Sequence, residues 1–225
     1  MNNIKIFCEG ITDQVFIADC IELFYGKKFE RLQKKGGSKI KDKLSIKIKN
    51  DIEIIDVGGC SKLTNELYLS KLRDNESIGG KNIVIFDADY SKTGTGNKGF
   101  KACEQKLNNL KTSNEIQFDF YIWPNNNDEG EIENLLRLLI PEDKETLFDC
   151  IEDHQTCLMS QEYPEINLKT PELKDKIGFY LHTMNKKSTP SQRDYKDNLS
   201  WDLDYHKTKD LNSFKIFMDT FMLVE

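Results

Sequence analysis

Apolar runs and stretches with apolar residues at helical spacing alternate through the first 140 residues, and the junctions carry glycine or polar turns. Ile4 to Cys8 reads as a first strand, closed by Glu9-Gly10. Thr12 then stands as the cap of a helix whose Val15, Phe16, Ile21, Leu23 and Phe24 keep roughly helical spacing as far as Gly26. Ile52 to Val57 forms a second run, closed by Gly58-Gly59, and Ser61 is placed to cap a helix carrying Leu63, Leu67, Leu69 and Leu72. The third run, Ile83 to Phe86, has no polar alternation, as expected of a strand buried on both faces, and it runs into Asp87-Ala88-Asp89. A polar loop, a helix through Ala102, Leu107 and Leu110, and a fourth strand from Ile116 to Trp123 follow, with Pro124 as the stop. Ile132, Leu135, Leu136 and Leu139 then make the stripe of a helix spanning 131–140, ended by Pro141.

This rhythm predicts an α/β fold built on a mainly parallel sheet with helices on both faces. Residues 1–141 are its core and carry a basic insertion at 27–50. Residues 142–225, with helical patterns near 144–158, 171–184 and 211–223, form a helical C-terminal extension packed on that core, where Trp201, Phe214, Phe217 and Phe221 read as packing residues.

Composition adds limits. With 225 residues, 38% apolar and 31% charged, the chain can bury a sizeable core and has the profile of a globular protein. It contains no apolar run of ~18 residues, so a membrane span is not expected, and the start has no signal-like apolar segment. The six cysteines are scattered in mostly apolar surroundings, which suits reduced thiols and a cytoplasmic setting. Cys150, His154 and Cys157 can share a helix face, but three ligands without a fourth make a poor structural zinc site. Net charge is −6 and unevenly spread: nine Lys and one Arg in 27–50 stand against Glu30 and Asp42, a net +8 that leaves −14 elsewhere. Lys34, Lys35 and Lys39 in this insertion are candidate phosphate contacts, against the plainer reading of a solvated Lys-rich hairpin turned at Gly36-Gly37, with Leu44, Ile46 and Ile48 alternating as a short strand.

The chemistry gathers at strand ends. Parallel strands deliver their carboxyl ends to one edge of the sheet, the usual place for a ligand. Glu9 ends the first strand there, and Asp87 and Asp89 end the third. An extended backbone would point that pair the same way, and like charges so placed call for a cation or a proton. Asp13, in the first turn of the following helix, and Glu133, after the fourth strand, can reach the same edge. Each acid alone has a plainer reading as a helix-start or turn carboxylate. Gly10, Gly58 and Gly59 could bring backbone close to a ligand or simply turn the chain, and Lys92 and Lys98 in the adjacent loop could meet a phosphate. His154, His182 and His206 lie far along the chain from these motifs and read as structural or exposed.

The order Glu9-Gly10 with Asp13 just after, Gly58-Gly59 behind a second strand and Asp87-Ala88-Asp89 behind a third resembles the Toprim domain of topoisomerases, primases, OLD-type nucleases and small RNA-maturation nucleases. Gly130-Glu131-Ile132-Glu133 is similar to the Gly-x-x-Glu element of compact Toprim-like proteins, in particular the group called DUF3226. The resemblance covers roughly 4–140. It implies a nuclease acting on DNA or RNA with Mg²⁺ or Mn²⁺, with Glu9 as acid/base or metal ligand, Asp87 and Asp89 as metal ligands, and Asp13 and Glu133 as ligands of a second metal. Nucleic acid is the implied partner, with a protein partner or a homodimer also open.

Two other readings remain open from the residues. Asp87-x-Asp89-x-Ser91 resembles the first motif of haloacid-dehalogenase-like phosphatases, but it sits on the third strand and no convincing downstream Gly-Asp-x-x-x-Asp-like element follows. A catalytically weak nucleotide- or nucleic-acid-binding module of a larger defence or repair complex is the other. Gly94-Thr95-Gly96-Asn97-Lys98-Gly99 matches a dinucleotide-binding pattern in letters only, because it does not follow the strand directly.

Overall fold

The computed structural model describes residues 3–31, 45–48, 52–91, 98–162 and 165–223. Lys34, Lys35, Lys39, Leu44, Lys92 and residues 94–97 lie outside them. Four parallel strands make the centre: β1 (Ile4–Cys8), β4 (Ile52–Asp56), β5 (Lys81–Asp87) and β6 (Asp119–Trp123). Two short strands of the insertion, β2 (Phe29–Arg31) and β3 (Ser45–Ile48), add antiparallel at one side, giving the order β2-β3-β4-β1-β5-β6.

Alternate residues of each central strand enter two separate apolar clusters, which is why these runs lack polar alternation. Ile6, Ile54, Ile83, Ile85, Tyr121 and Trp123 face one cluster, and Phe7, Ile55, Val84, Phe86 and Ile122 face the other. The second is roofed by α2 (Glu66–Ser77) and α3 (Phe100–Asn114). The first is covered by α1 (Ile11–Tyr25), α4 (Ile132–Leu138), α5 (Glu145–Met159), α6 (Leu173–Thr183) and α7 (Lys209–Met222).

Residues past Pro141 therefore share a core with β1 and α1. Trp123 meets Phe214 with ring centroids 4.8 Å apart, and Phe16 meets Tyr195 edge-on at 5.2 Å. Backbone contacts reinforce this: Tyr195 N–H donates to Asp19 Oδ2 at 2.8 Å and Asp202 N–H to the Leu139 carbonyl at 2.7 Å. No described helix is long and apolar enough to cross a membrane. None of the six cysteines forms a disulfide among the described residues.

Several boundaries differ from the pattern-based expectation. The first turn of α1 is closed by Asp13, whose Oδ2 accepts the Gly10 N–H at 3.1 Å, and not by Thr12. Ser61 lies in a 3₁₀ turn, Cys60–Thr64, and α2 starts only after Asn65, which leaves Leu67 exposed on its outer side. Ile116 and Phe118 are buried, but pairing in β6 begins at Asp119.

The topology fixes where a ligand can approach. From β1 the chain crosses by α1 to β4 on one side, and from β5 it crosses by α3 to β6 on the other. Adjacent strands whose connections leave in opposite directions and over opposite faces open a crevice at their carboxyl ends. Here those strands are β1 and β5; Glu9 directly follows the first and Asp87 ends the second.

Candidate functional site

Glu9 is braced from both neighbouring strands. Its carbonyl accepts the Gly58 and Gly59 N–H groups at 2.9 and 3.0 Å, and its Oε2 accepts the Asp87 N–H at 3.3 Å. Gly58 and Gly59 adopt φ of 77° and 115°, which L side chains rarely tolerate, so glycine is needed to double two donors onto one carbonyl. These donors, and Gly10 N–H on Asp13, are thus engaged within the protein, as the turn reading of these glycines has it.

Asp13 is 3% exposed and both of its oxygens accept: Oδ2 from Gly10 N–H, and Oδ1 from Trp123 Nε1–H at 2.8 Å. Asp87 is half-buried, with Oδ1 held by the Ile132 N–H at 2.8 Å at the start of α4, while Oδ2 has no hydrogen bond among the described residues. Glu133, in the first turn of α4, is 8% exposed. Thus β1, α1, β5 and α4 each deliver one carboxylate to the crevice.

All four carboxyls are held above the usual range, first because they are withdrawn from water. For Asp13 the nearby charges of Glu9 and Glu133 add to this, against the pull of its own N–H and the Trp123 N–H. Asp13, Glu9 and Glu133 raise Asp87, which the Ile132 N–H partly offsets. Glu9 is raised by burial, lowered by the Asp87 N–H, then raised by Asp89 and Glu131. Glu133 is raised by burial and Glu131 and lowered by its own N–H, Arg193 and Lys174.

Asp89 departs from expectation. Its backbone is left-handed, φ 58°, because the segment leaves the strand after Asp87 and pairs across to Gly130: Asp89 N–H to Gly130 carbonyl is 2.8 Å, and the return bond is 3.1 Å. Asp87 and Asp89 are therefore not the same-face neighbours on one extended strand that their spacing predicts. Asp89 lies on the exposed rim, 3.3 Å from Lys98 Nζ, an ion pair of small worth in water. The structure brings Glu9, Asp13, Asp87 and Glu133 together and sets Asp89 beside them. Among the described residues, no three His, Cys, Asp or Glu side chains converge on one point as a ready metal cage, and Cys150, His154 and Cys157 do not form one.

Residues not singled out from the sequence surround this centre. Glu131 acts on Glu9 and has its own carboxyl raised, by burial first and then by Asp89. Asn134 Oδ1 accepts from Glu131 N–H and from Tyr90 Oη–H, both at 2.8 Å, locking the 130–134 turn. Arg193, from the polar stretch before α7, acts on Glu133 from some sixty positions downstream. The Gly-x-x-Glu element contains Glu131 and was the one available signal for it; no local pattern marks Arg193.

Fold and site together define an α/β protein with a parallel-sheet core and an acidic crevice at its switch point. The family model described as "Protein of unknown function (DUF3226)" matches residues 3–222, and the chain belongs to that family. No curated protein and no solved structure matches it.

Proposed function

We propose that the protein is a Toprim-like, metal-dependent phosphodiester-cleaving enzyme related to OLD-type nucleases, acting in the cytoplasm on DNA or RNA. The observation that carries this is that Glu9, Asp13, Asp87 and Glu133, from four elements, lie near enough along the switch-point edge for their charges to act on one another. Like charges withdrawn from water need protons or a cation to coexist. Their oxygen-only chemistry fits a hard divalent ion such as Mg²⁺ or Mn²⁺. Glu9, Asp87 and Asp89 would hold it, Asp87 through its unengaged Oδ2, with Asp13 and Glu133 as auxiliary ligands. Such an ion neutralises charge on a phosphoryl group and lowers the pKa of attacking water.

The chain's own residues would do the rest. Glu9, its carboxyl raised by burial, would take a proton from the attacking water and return it to a leaving oxygen. The Trp123 and Gly10 N–H groups fix Asp13, and the Ile132 N–H fixes Asp87. Lys98 on the rim is available to meet a neighbouring phosphate by exchanging its exposed partner Asp89.

One observation favours a second reading. The absence, among the described residues, of three converged ligands suits a nucleic-acid-binding module that has kept the fold without turnover. A phosphatase with Asp87 as nucleophile has less support, because three neighbouring carboxylates keep its charged form costly. The test is incubation of pure protein with plasmid, single-stranded DNA and structured RNA in Mg²⁺ or Mn²⁺, beside folded Asp87→Ala and Glu9→Gln. Cleavage by the wild type alone is expected; equal cleavage by the variants, or none by any, would remove the nuclease reading.

A further inference from the structure

Next to the acidic edge lies a cavity of about 590 Å³, between the first turn of α1, α4, α6 and the 188–193 segment. Thr12, Glu133, Lys174, Gly178, His182 and Arg193 are among its walls. Glu133 belongs to both places, so the cavity continues the crevice rather than standing apart from it.

Arg193 is its distinctive member. It is 4% exposed, yet among the described residues no carboxylate lies within 4.0 Å of its guanidinium. Its contacts are neutral: Nε–H donates to the Ser188 carbonyl at 3.0 Å and Nη1–H to Tyr195 Oη at 3.4 Å. Buried guanidinium groups are ordinarily neutralised by a paired anion, because removing an unpaired charge from water is costly. Here the Nη2 donors have no acceptor among the described residues, and the residue lines a cavity.

Gly178 is a second, independent sign. It sits in the interior of α6, where glycine costs about 1 kcal/mol relative to alanine. A Cβ at this position would meet nothing within 4 Å, so packing does not require glycine. What its missing side chain does is keep the cavity wall clear. Lys174 stands exposed at the mouth, held only by a surface pair with Glu172 that an incoming anion can replace. The acids on the wall are Glu133 and Asp175, the latter engaged through Oδ2 by the Glu172 N–H at 3.0 Å.

We propose that this cavity is the anion-holding half of the site and receives a phosphate group of the substrate, gripped by the Arg193 fork with Lys174 at the mouth. The volume exceeds that of a phosphate and leaves room for part of an attached nucleoside. The choice of phosphate over another planar or tetrahedral anion rests on the phosphodiester reading of the adjoining edge, but its test needs no turnover.

Thermal unfolding in EDTA, with inorganic phosphate against chloride at equal ionic strength, reads the site directly. Phosphate at about 20 mM is expected to raise the wild-type Tm by about 3 °C or more through binding to the folded state. Gly178→Leu, which fills the cavity while improving helix propensity, is expected to fold at an equal or higher Tm and to lose most of that shift. Arg193→Lys, which keeps charge and loses the fork, should lose it too. The variants also remove the general stabilising action of phosphate from the comparison. An equal shift in all three proteins, or none in the wild type, overturns the proposal.

Oligonucleotide binding in EDTA then identifies the source of the phosphate. A terminal phosphate predicts about ten-fold tighter binding of a 5′-phosphorylated strand than of its 5′-hydroxyl twin, abolished in Gly178→Leu. An internal phosphate predicts equal binding of the two, weakened about ten-fold by the same variant. Binding of both strands unchanged in Gly178→Leu counts against the pocket in either form. Loss of cleavage with the phosphate response intact removes the nuclease reading alone.

Discussion

Asp87→Asn in metal-free protein separates charge repulsion from hydrogen bonding in the acidic crevice. Asparagine keeps an oxygen for the Ile132 N–H, and its new NH₂ faces a set of acceptors, so the substitution removes a charge without orphaning a donor. Each pKa unit by which the folded carboxyl exceeds its unfolded value costs the charged folded state about 1.4 kcal/mol. Asp87 is raised well above that value, so removing its charge is expected to stabilise the folded state above the folded pKa; on the ordinary scale of single substitutions that is about 1–3 kcal/mol, or roughly 2–10 °C in Tm for a chain of this size. The sign with pH follows from linkage. Between the unfolded value, about 4, and the raised folded value, the folded wild type holds a proton that the unfolded chain has released. Its stability is therefore greatest below the unfolded pKa and is lost as pH rises through the folded one, while Asp87→Asn has no such loss.

The contrast is Asp13→Asn, where both oxygens already accept N–H donors, so an NH₂ must face Gly10 N–H or Trp123 Nε1–H. That lost bond costs about 1–3 kcal/mol and offsets the charge relief. Urea unfolding followed by tryptophan fluorescence, in EDTA at pH 5, 6.5 and 8, is expected to rank Asp87→Asn above wild type at pH 8. The gap should shrink toward pH 5, and Asp13→Asn should lie at least ~1 kcal/mol below Asp87→Asn. An Asp87→Asn protein less stable than wild type at pH 8, or a gap that does not change with pH, would refute the reasoning.

Two further substitutions test the scaffold of the site. Trp123→Phe leaves the buried Asp13 Oδ1 without its 2.8 Å donor and should cost about 2 kcal/mol, more at pH 8 than at pH 5 because the indole N–H favours the charged carboxyl; equilibrium unfolding at the two pH values checks this. Gly130→Ala should cost about 1–3 kcal/mol, read as a fall in the urea midpoint, since Gly130 has φ 143° and a Cβ there would lie 2.6 Å from Asn134 Oδ1.

The parts of the fold written in contiguous residues were legible in the chain. Ile83 to Phe86 is apolar throughout because alternate residues face two different helix layers, and such a run has one reading once glycines and polar turns bound it. Glu9 and Asp87 were legible for the same reason, since strand length fixes which residue emerges at the edge. Asp89 was misread because its left-handed backbone is set by pairing with Gly130, forty-one positions away, which no local spacing encodes. The glycines after β4 were visible, but not that their amides would be spent on the Glu9 carbonyl, a contact created by the β1–β4 register. Arg193 was invisible for the strongest form of this reason: it sits in a stretch without periodicity and acts on Glu133 only because the described part of the chain after Pro141 packs on the α1 face of the sheet.

The proposed activity requires a divalent metal at the edge between β1 and β5. Crystals soaked in Mn²⁺ and measured at the manganese absorption edge test it most directly. An anomalous peak bounded by the carboxylates of Glu9 and Asp87, lost in Asp87→Ala, is the expected result. A map with Glu9, Asp87 and Asp89 ordered and accessible, and no peak among them at saturating Mn²⁺, would contradict it.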